Sequence, residues 1–141
     1  MEKAQFKKYL KERYEDQVTW YDKKSISFQK KYKFWQTLII LTSAVTPIFV
    51  ALEITKALVV VISAIVAIGT TVIKTFKYQE NWINYRTTCE TLKKEIHFYQ
   101  NSVGEYKTAK DPEALFIDNV ESFISRENTL WLSTHRPKRE N

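Results

Sequence analysis

The sequence of 141 residues contains few of the residues from which catalytic and metal sites are built. A single cysteine, Cys89, cannot form an internal disulfide, which is typical of a reducing compartment. Cys89 and the two histidines, His97 and His135, do not match the ligand spacing of a metal site. Two glycines, Gly69 and Gly104, are too few for a phosphate-binding loop. These absences predict a protein that is not an enzyme, with no catalytic residue, metal site or cofactor.

Charged residues are absent from two long segments, and this absence predicts a membrane protein. Residues 34–52 read FWQTLIILTSAVTPIFVAL and residues 57–73 read ALVVVISAIVAIGTTVI. Each segment is close to the ~20 apolar residues with which an α-helix crosses a ~30 Å hydrocarbon core. Residues 53–56 leave room only for a sharp reversal. The two segments therefore predict a transmembrane hairpin with residues 53–56 as its external tip.

An apolar helix can also belong to the core of a soluble protein. A helix that is apolar on every side must then be surrounded by other parts of the protein. The chain has two such segments and long polar flanks, and it is too short to surround both. A signal peptide does not fit either, because the first segment follows more than thirty largely polar residues.

The placement of lysines predicts the orientation of the hairpin. Lysines flank both segments on the side away from the tip: Lys23, Lys24, Lys30, Lys31, Lys33, Lys74 and Lys77. Because cytoplasmic flanks are enriched in Lys and Arg, both termini are expected in the cytoplasm. The inner membrane surface is a sufficient partner for the net charge of +6, so no nucleic acid polymer is expected to bind.

The polar flanks show the spacing of packed helices. Residues 14, 18, 21, 25, 28, 32 and 35 and residues 78, 82, 85, 89, 92, 96, 99 and 103 follow alternating steps of four and three, and most are apolar or aromatic. Phe6 and Leu10 extend the first series with a change of register. We expect a cytoplasmic helix over residues 1–33. Since no proline or glycine intervenes, we also expect an uninterrupted continuation of the second span over residues 74–103, ending near Gly104.

A third cytoplasmic helix is predicted over residues 111–133. Asp111 can cap its N-terminus and Pro112 is tolerated at its first position. Its apolar face comprises Leu115, Phe116, Val120, Phe123, Ile124 and Trp131. The polar residues 134–141 are expected to form a disordered tail. The predicted fold is an all-α membrane protein, in which a transmembrane hairpin is continuous with long cytoplasmic helices and a third helix completes a three-helix bundle.

Two motifs in the cytoplasmic part resemble those of a known family. W-x-x-Y-R with two later glutamates is formed by Trp82, Tyr85, Arg86, Glu90 and Glu95, and E-N-x-x-W by Glu127, Asn128 and Trp131. The chain thereby resembles a bacterial family of small two-transmembrane proteins of unknown function in the SLATT superfamily, the SMODS- and SLOG-associating two-transmembrane effector domains. The resemblance implies a pore-forming effector of the bacterial inner (plasma) membrane. It also implies a link to nucleotide-signalled antiphage defence.

One stripe of the first span is predicted to line a pore: Gln36, Ile39, Ser43, Thr46, Val50 and Glu53. Two helices cannot enclose an aqueous path, so a pore requires several copies of the chain. The polar members could then face water, with Ile39 and Val50 as constrictions. Alternatively, the hydroxyls bond to their own backbone or to a neighbouring helix. Lys74 and Lys77 would lie at the cytoplasmic mouth, or would extend to lipid headgroups.

The remaining cluster consists of Trp82, Tyr85, Arg86, Glu90 and Glu127. In a ligand site the aromatic rings would stack on a base and the guanidinium would hold a phosphate. In a structural site the charges would form an ion pair between helices inside an aromatic core. Arg86→Ala separates the two, because only the structural site predicts a loss of stability.

Together these features predict a homo-oligomeric ion channel or pore-forming effector, gated through its cytoplasmic bundle. Its expected partners are the lipid bilayer and further copies of itself, with a nucleotide second messenger or a cytoplasmic protein as the candidate gating partner. The alternative is a non-conducting membrane scaffold that docks a cytoplasmic protein on its basic, aromatic helices.

Overall fold

The computed structural model describes residues 3–135 and is helical throughout, with no strand in that range. The helices are α1 (Lys3–Tyr9), α2 (Glu15–Ala51), α3 (Lys56–Phe76), α4 (Tyr78–Gln100) and α5 (Pro112–His135). A π-helical segment, Leu10–Tyr14, joins α1 to α2, and a 3₁₀ turn, Gly104–Lys107, precedes α5. The predicted all-α class is confirmed. Of the predicted tail at 134–141, residues 136–141 lie outside the described residues.

The π-helical segment explains the change of register near the start of the sequence. Phe6 and Tyr14 are both buried, although their spacing does not continue the heptad series that follows. A π-helical turn contains more residues than an α-helical turn, so it rotates the helix face. The segment Leu10–Tyr14 thereby keeps Phe6 on the buried side of the helix.

The chain divides into two compact units. The bundle unit comprises Met1–Lys23 and Asn84–Asn141, and the hairpin unit comprises Lys24–Ile83. In the bundle unit, the centre of the core is the fully buried ring of Phe116 on α5. Its ring centroid lies 5.8 Å from that of Phe6, 5.4 Å from that of Tyr14 and 5.4 Å from that of Tyr99. Three helical stretches of the chain therefore meet around this ring.

In the hairpin unit, α2 and α3 are connected by a tight reversal. The N–H of Ile54 donates to the carbonyl of Phe49 and the N–H of Glu53 to that of Val50, at 3.1 and 3.2 Å. This pair of bonds is the Schellman ending of a helix, and it requires a left-handed residue, here Glu53 with φ 53°. The apolar segments 34–52 and 57–73 lie almost wholly within α2 and α3. At 21 residues, α3 is about 31 Å long.

One residue interrupts the helix that follows the second apolar segment. Lys77 adopts the left-handed conformation, with φ 48° and ψ 42°, and separates α3 from α4. The side-chain amide of the buried Asn81 donates to the carbonyl of Phe76 at 3.2 Å. The uninterrupted helix expected from the sequence is thus broken without any glycine or proline.

The ends of α4 and α5 follow the rules of helix termini. Asp111 Oδ1 accepts the N–H of Ala114 at 3.1 Å, which confirms the predicted N-terminal cap. At the end of α4 the left-handed residue is Ser102, with φ 51°, and Gly104 begins the 3₁₀ turn. The left-handed residue that ends the helix was expected at Gly104 and is Ser102, two residues earlier.

Candidate functional site

The most distinctive surface is the apolar exterior of the hairpin unit. Two helical stretches, Lys3–Ala51 and Lys56–Lys107, contain windows long and apolar enough to cross a membrane, and almost none of either window is buried. Many large side chains point away from the protein: Ile40, Leu41, Ile48, Val50, Leu58, Val60, Val61 and Ile68. Contiguous exposed apolar surface of this extent is typical of a membrane or protein interface.

The predicted pore stripe divides into three environments. Ile39 packs against the other helix, because a Cβ added to the buried Gly69 would lie 3.0 Å from Ile39 Cγ1. Ser43 and Thr46 line a groove of about 360 Å³, and Val50 and Glu53 line a separate cavity beside Lys56. The six residues therefore do not share one open face. Gln36 is half-buried.

The groove beside Ser43 is a polar feature between the two apolar segments. It is lined by Ser43, Thr46 and Pro47 of α2 and by Ser63 and Val66 of α3. Because Pro47 has no N–H, the carbonyl of Ser43 lacks its helical donor. Among the described residues, the Ser43 hydroxyl has no hydrogen-bond partner either. Ser43 therefore combines a hydroxyl without a described partner and a carbonyl without its usual donor, beside this groove.

Most other hydroxyls in the two apolar segments bond within their own helix. Thr42 donates to the carbonyl of Leu38 at 2.7 Å, and Thr46 donates to that of Thr42 at 2.8 Å. Ser63, Thr70 and Thr71 each donate in the same way to the carbonyl four residues earlier. These bonds let a hydroxyl lie in an apolar environment without water. Ser43 is therefore chemically different from its neighbours.

The two lysines expected at the cytoplasmic mouth have different surroundings. Lys74 is exposed in the last turn of α3. Lys77 occupies the left-handed position between α3 and α4, and its Nζ lies 4.0 Å from Glu80 Oε2. The two lysines therefore do not continue one helical stripe.

The predicted cluster around Arg86 is an ion-pair network on the bundle unit. The guanidinium lies 2.7 Å from Glu90 Oε1 and 3.3 Å from Asp22 Oδ1. Lys93 Nζ joins the same two carboxylates, at 3.5 Å from Asp22 and 3.9 Å from Glu90. Two positive and two negative charges balance here, and all four side chains are partly exposed. The sequence motif included Arg86 and Glu90 but missed Asp22 and Lys93.

Glu127 has a different environment from the one expected. The residue is buried, and its Oε2 accepts the hydroxyl of Tyr21 at 3.2 Å. Within the described residues no ion pair joins it to Arg86. Burial raises the pKa of Glu127 above its usual value of 4.5, although the hydroxyl of Tyr21 opposes this shift. Burial also raises the pKa of Tyr21, so that its hydroxyl stays protonated and donates.

The remaining aromatic members of the cluster also take part in packing. Tyr85 is buried and its ring centroid lies 5.6 Å from that of Trp20, in an edge-to-face arrangement. Trp82 belongs to the hairpin unit, where it stacks on Tyr32 with ring centroids 6.0 Å apart. Each ring therefore packs against an aromatic partner within its own unit.

A second buried carboxylate belongs to Glu95, which the sequence placed in the same motif as Arg86 and Glu90. Glu95 of α4 accepts the hydroxyl of Tyr106 and, at 2.8 Å, the side-chain amide of Asn119. This bond set joins α4, the 3₁₀ turn and α5. The motif thus pointed to Glu95, but not to its partners Tyr106 and Asn119.

Cys89 is fully buried between the helices of the bundle unit. Burial raises the pKa of its thiol, which therefore stays in the unreactive protonated form at neutral pH. Among the described residues, no group of His, Cys, Asp and Glu side chains is arranged to hold a metal ion.

Comparison with known proteins identifies a family. The family described as "Protein of unknown function (DUF4231)" matches residues 16–114, which include both apolar segments and the whole of α4. No curated protein and no solved structure matches the chain. Since the match extends over well more than half of the sequence, the chain belongs to the DUF4231 family, a family of unknown function.

Proposed function

We propose that this protein is a homo-oligomeric membrane protein that forms a small ion channel or pore, controlled through its cytoplasmic bundle. We place it in the bacterial inner membrane, with both termini in the cytoplasm. We also propose that its family belongs to the SLATT superfamily of two-transmembrane effectors and acts in antiphage defence. A nucleotide second messenger or a cytoplasmic protein is the proposed gating partner.

The membrane location is supported by the exterior of the hairpin unit. The large aliphatic side chains of α2 and α3 are exposed around both helices, not along a single stripe. In water this surface would strongly favour aggregation, whereas in lipid it needs no covering. Apart from the Ser43 carbonyl opposite Pro47, the helical form of α2 and α3 pairs backbone groups within each helix, as a lipid environment requires.

The observation that carries the pore proposal is the groove at Ser43. A hydroxyl without a described partner, next to a carbonyl that lacks its usual helical donor, is unfavourable in hydrocarbon. Water or the neighbouring copy in an oligomer would satisfy both groups. One hairpin cannot enclose a path, so several copies would have to turn this groove, with Thr46 and Ser63, toward a common axis. The pore-lining set of this proposal is therefore Ser43, Thr46 and Ser63, and Ile39 has a packing role.

The pore would be tested by current recording and by cysteine accessibility. We expect discrete current steps from purified protein in a planar bilayer, and reversal potentials under a salt gradient would give the selectivity. Single-cysteine variants Ser43→Cys and Ser63→Cys should react with a membrane-impermeant thiol reagent. Matched variants Ile40→Cys and Val60→Cys, on the exposed apolar exterior, should not. All four variants carry Cys89→Ser, so that each contains one cysteine. The parent protein, in which Cys89 is buried, serves as the unreactive control.

A specific observation favours the non-conducting scaffold as the second candidate. Thr42, Thr46, Ser63, Thr70 and Thr71 all donate to their own helix, so these hydroxyls need no water-filled lumen. If the bilayer is silent and all four cysteines are unreactive, the pore is refuted and the scaffold is the better account. Ser43→Leu with unchanged currents would also refute the role of the groove.

A further inference from the structure

A cavity of about 240 Å³ lies between α4 and α5 in the bundle unit. Its walls are formed by Thr88 and neighbouring threonines of α4 and by Phe123, Arg126, Glu127 and Leu130 of α5. Since one water occupies about 30 Å³ in the liquid, the cavity has room for about eight water molecules. Cavities that hold drug-sized ligands measure about 300–1,000 Å³, so this cavity would accept a smaller molecule.

The most buried polar side chain on these walls is that of Glu127, which is only 6% exposed. Its Oε2 accepts the hydroxyl of Tyr21, and the described residues provide no donor for its Oε1. Among those residues, no fully buried side-chain oxygen or nitrogen lacks a hydrogen-bond partner. Oε1 therefore keeps contact with open space, which the cavity provides, and it is left to accept a donor from a ligand.

The buried position of this carboxylate favours a ligand that carries a positive charge. Burial raises the pKa of Glu127 above its usual value of 4.5, because the charged form loses contact with water. A cation beside the carboxylate would oppose this effect, since an opposite charge stabilises the charged form. An ammonium group would in addition donate a charge-assisted hydrogen bond to Oε1.

The other walls supply a positive charge and apolar surface. Arg126 is exposed, and within residues 3–135 no ion pair involves its guanidinium. The half-buried ring of Phe123 and the side chain of Leu130 are apolar. Water could satisfy Glu127, but it would leave this apolar surface hydrated. The walls thus fit a molecule with a buried positive end, an outer negative end and an apolar body.

We propose that the cavity binds a small zwitterion of the class of apolar α-amino acids. Its ammonium group contacts Glu127, its carboxylate contacts Arg126, and its side chain packs on Phe123 and Leu130. Every residue of the site belongs to the bundle unit, so the inference rests neither on the membrane location nor on the pore. A purely anionic ligand is a poorer occupant, because the buried carboxylate would repel it.

Binding can be measured by saturation-transfer NMR on the full-length protein in detergent micelles, with empty micelles as the blank. The probes are L-valine, L-leucine and L-methionine at concentrations up to about 10 mM, which detects weak binding. Two analogues of leucine each lack one charge: isoamylamine has no carboxylate and isocaproate has no ammonium group. We expect leucine to bind more tightly than either analogue, and isocaproate to bind most weakly.

Glu127→Gln removes the negative charge of the site and keeps the size of the side chain. It should weaken leucine binding by about tenfold or more, because a hydrogen bond to a charged group is lost. The matched control is Glu95→Gln, at a buried carboxylate that does not line this cavity, and it should leave leucine binding unchanged. Thr88→Leu fills the cavity without any change of charge and should abolish binding. Circular dichroism would verify that each variant keeps its helix content.

Arg126→Gln tests the outer end of the ligand. The ion pair formed by an exposed guanidinium is weak, so the variant should weaken leucine binding by about two- to fivefold. It should leave the binding of isoamylamine unchanged, because that probe has no carboxylate. Lys94→Gln removes an exposed positive charge of α4 away from the cavity and should affect neither probe.

The outcomes decide each part of the proposal. If none of the three amino acids binds, or if Thr88→Leu binds leucine as well as the parent does, the site is overturned. Equal binding of leucine and isocaproate, or unchanged binding by Glu127→Gln, would overturn the ammonium contact. Equal binding of leucine and isoamylamine would overturn the role of Arg126. Because no bilayer or current is involved, each of these failures leaves the proposed function unaffected.

Discussion

The left-handed conformation of Lys77 decides whether a glycine at this position stabilises or destabilises the protein. A side chain in this conformation costs about 1–2 kcal/mol, which glycine avoids. Glycine also gives the unfolded chain more freedom, worth about 0.5–1 kcal/mol. Lys77→Gly should therefore stabilise the protein by about 0.5–1 kcal/mol. Loss of the weak contact to Glu80, whose side chain is largely exposed, subtracts little from this gain.

An uninterrupted helix would give the opposite result. Glycine inside an α-helix costs about 1 kcal/mol relative to a good helix former such as lysine. Lys74→Gly provides the matched control, because Lys74 is exposed within α3 three residues earlier. We expect Lys74→Gly to destabilise the protein by about 1 kcal/mol whichever conformation Lys77 adopts.

The assay is thermal unfolding in detergent micelles, followed by far-ultraviolet circular dichroism. For a chain of this size 1 kcal/mol corresponds to about 3 °C in Tm. The two glycine variants should therefore differ by about 5 °C, with Lys77→Gly above the parent protein and Lys74→Gly below it. If Lys77→Gly lowers Tm as much as Lys74→Gly does, α3 and α4 are one continuous helix and the reasoning is refuted.

The buried Asn81 gives an independent test of the same break. Asn81→Ala removes the donor to the carbonyl of Phe76, which costs about 1–3 kcal/mol when the carbonyl stays buried. Asn84→Ala removes an amide for which the described residues provide no hydrogen-bond partner, so its effect should be small. Equal losses of Tm for the two variants would contradict the proposed role of Asn81.

Two further predictions concern the bundle unit. Phe116→Ala should cost about 3–5 kcal/mol by urea unfolding in detergent, since its ring is fully buried, whereas the exposed Leu132→Ala should change stability by less than about 1 kcal/mol. Glu127→Gln should be more stable than the parent at pH 7.5, with an advantage that shrinks as the pH falls toward 4. Because the folded pKa of Glu127 is raised, its contribution is favourable below 4.5 and is lost as the pH rises through the folded pKa. Parallel Tm curves for parent and variant between pH 4 and 7.5 would refute this account.

Local sequence patterns predicted the parts of the fold that depend on neighbouring residues. The cap at Asp111 and the change of register between Phe6 and Tyr14 were both visible, because each depends on residues within a few turns. The break at Lys77 was not visible. No glycine or proline marks it, and the bond that satisfies the freed carbonyl comes from Asn81, an ordinary residue for a helix.

The surroundings of the candidate site residues depend more on helix packing than the fold class does. Ile39 and Ser43 share a stripe in the sequence, but the close approach of Gly69 places Ile39 between the helices, while Ser43 faces a groove. Similarly, Glu127 was grouped with Arg86 from the sequence, but its carboxylate accepts the hydroxyl of Tyr21. Spacing along one helix identifies residues on a common face, but it does not show which part of that face another helix covers.

The sequence by itself determined that this protein is helical and that two segments are apolar enough to cross a membrane. Those properties follow from the composition of each segment and from the spacing of its apolar residues, both of which can be read within a single helix. Only the tertiary structure decided which polar groups pair with one another, as in Tyr21 with Glu127 and Arg86 with Asp22. It also decided that Trp131 is exposed although its spacing is that of a core residue. Such pairings join residues far apart in the chain, so they depend on how the helices pack.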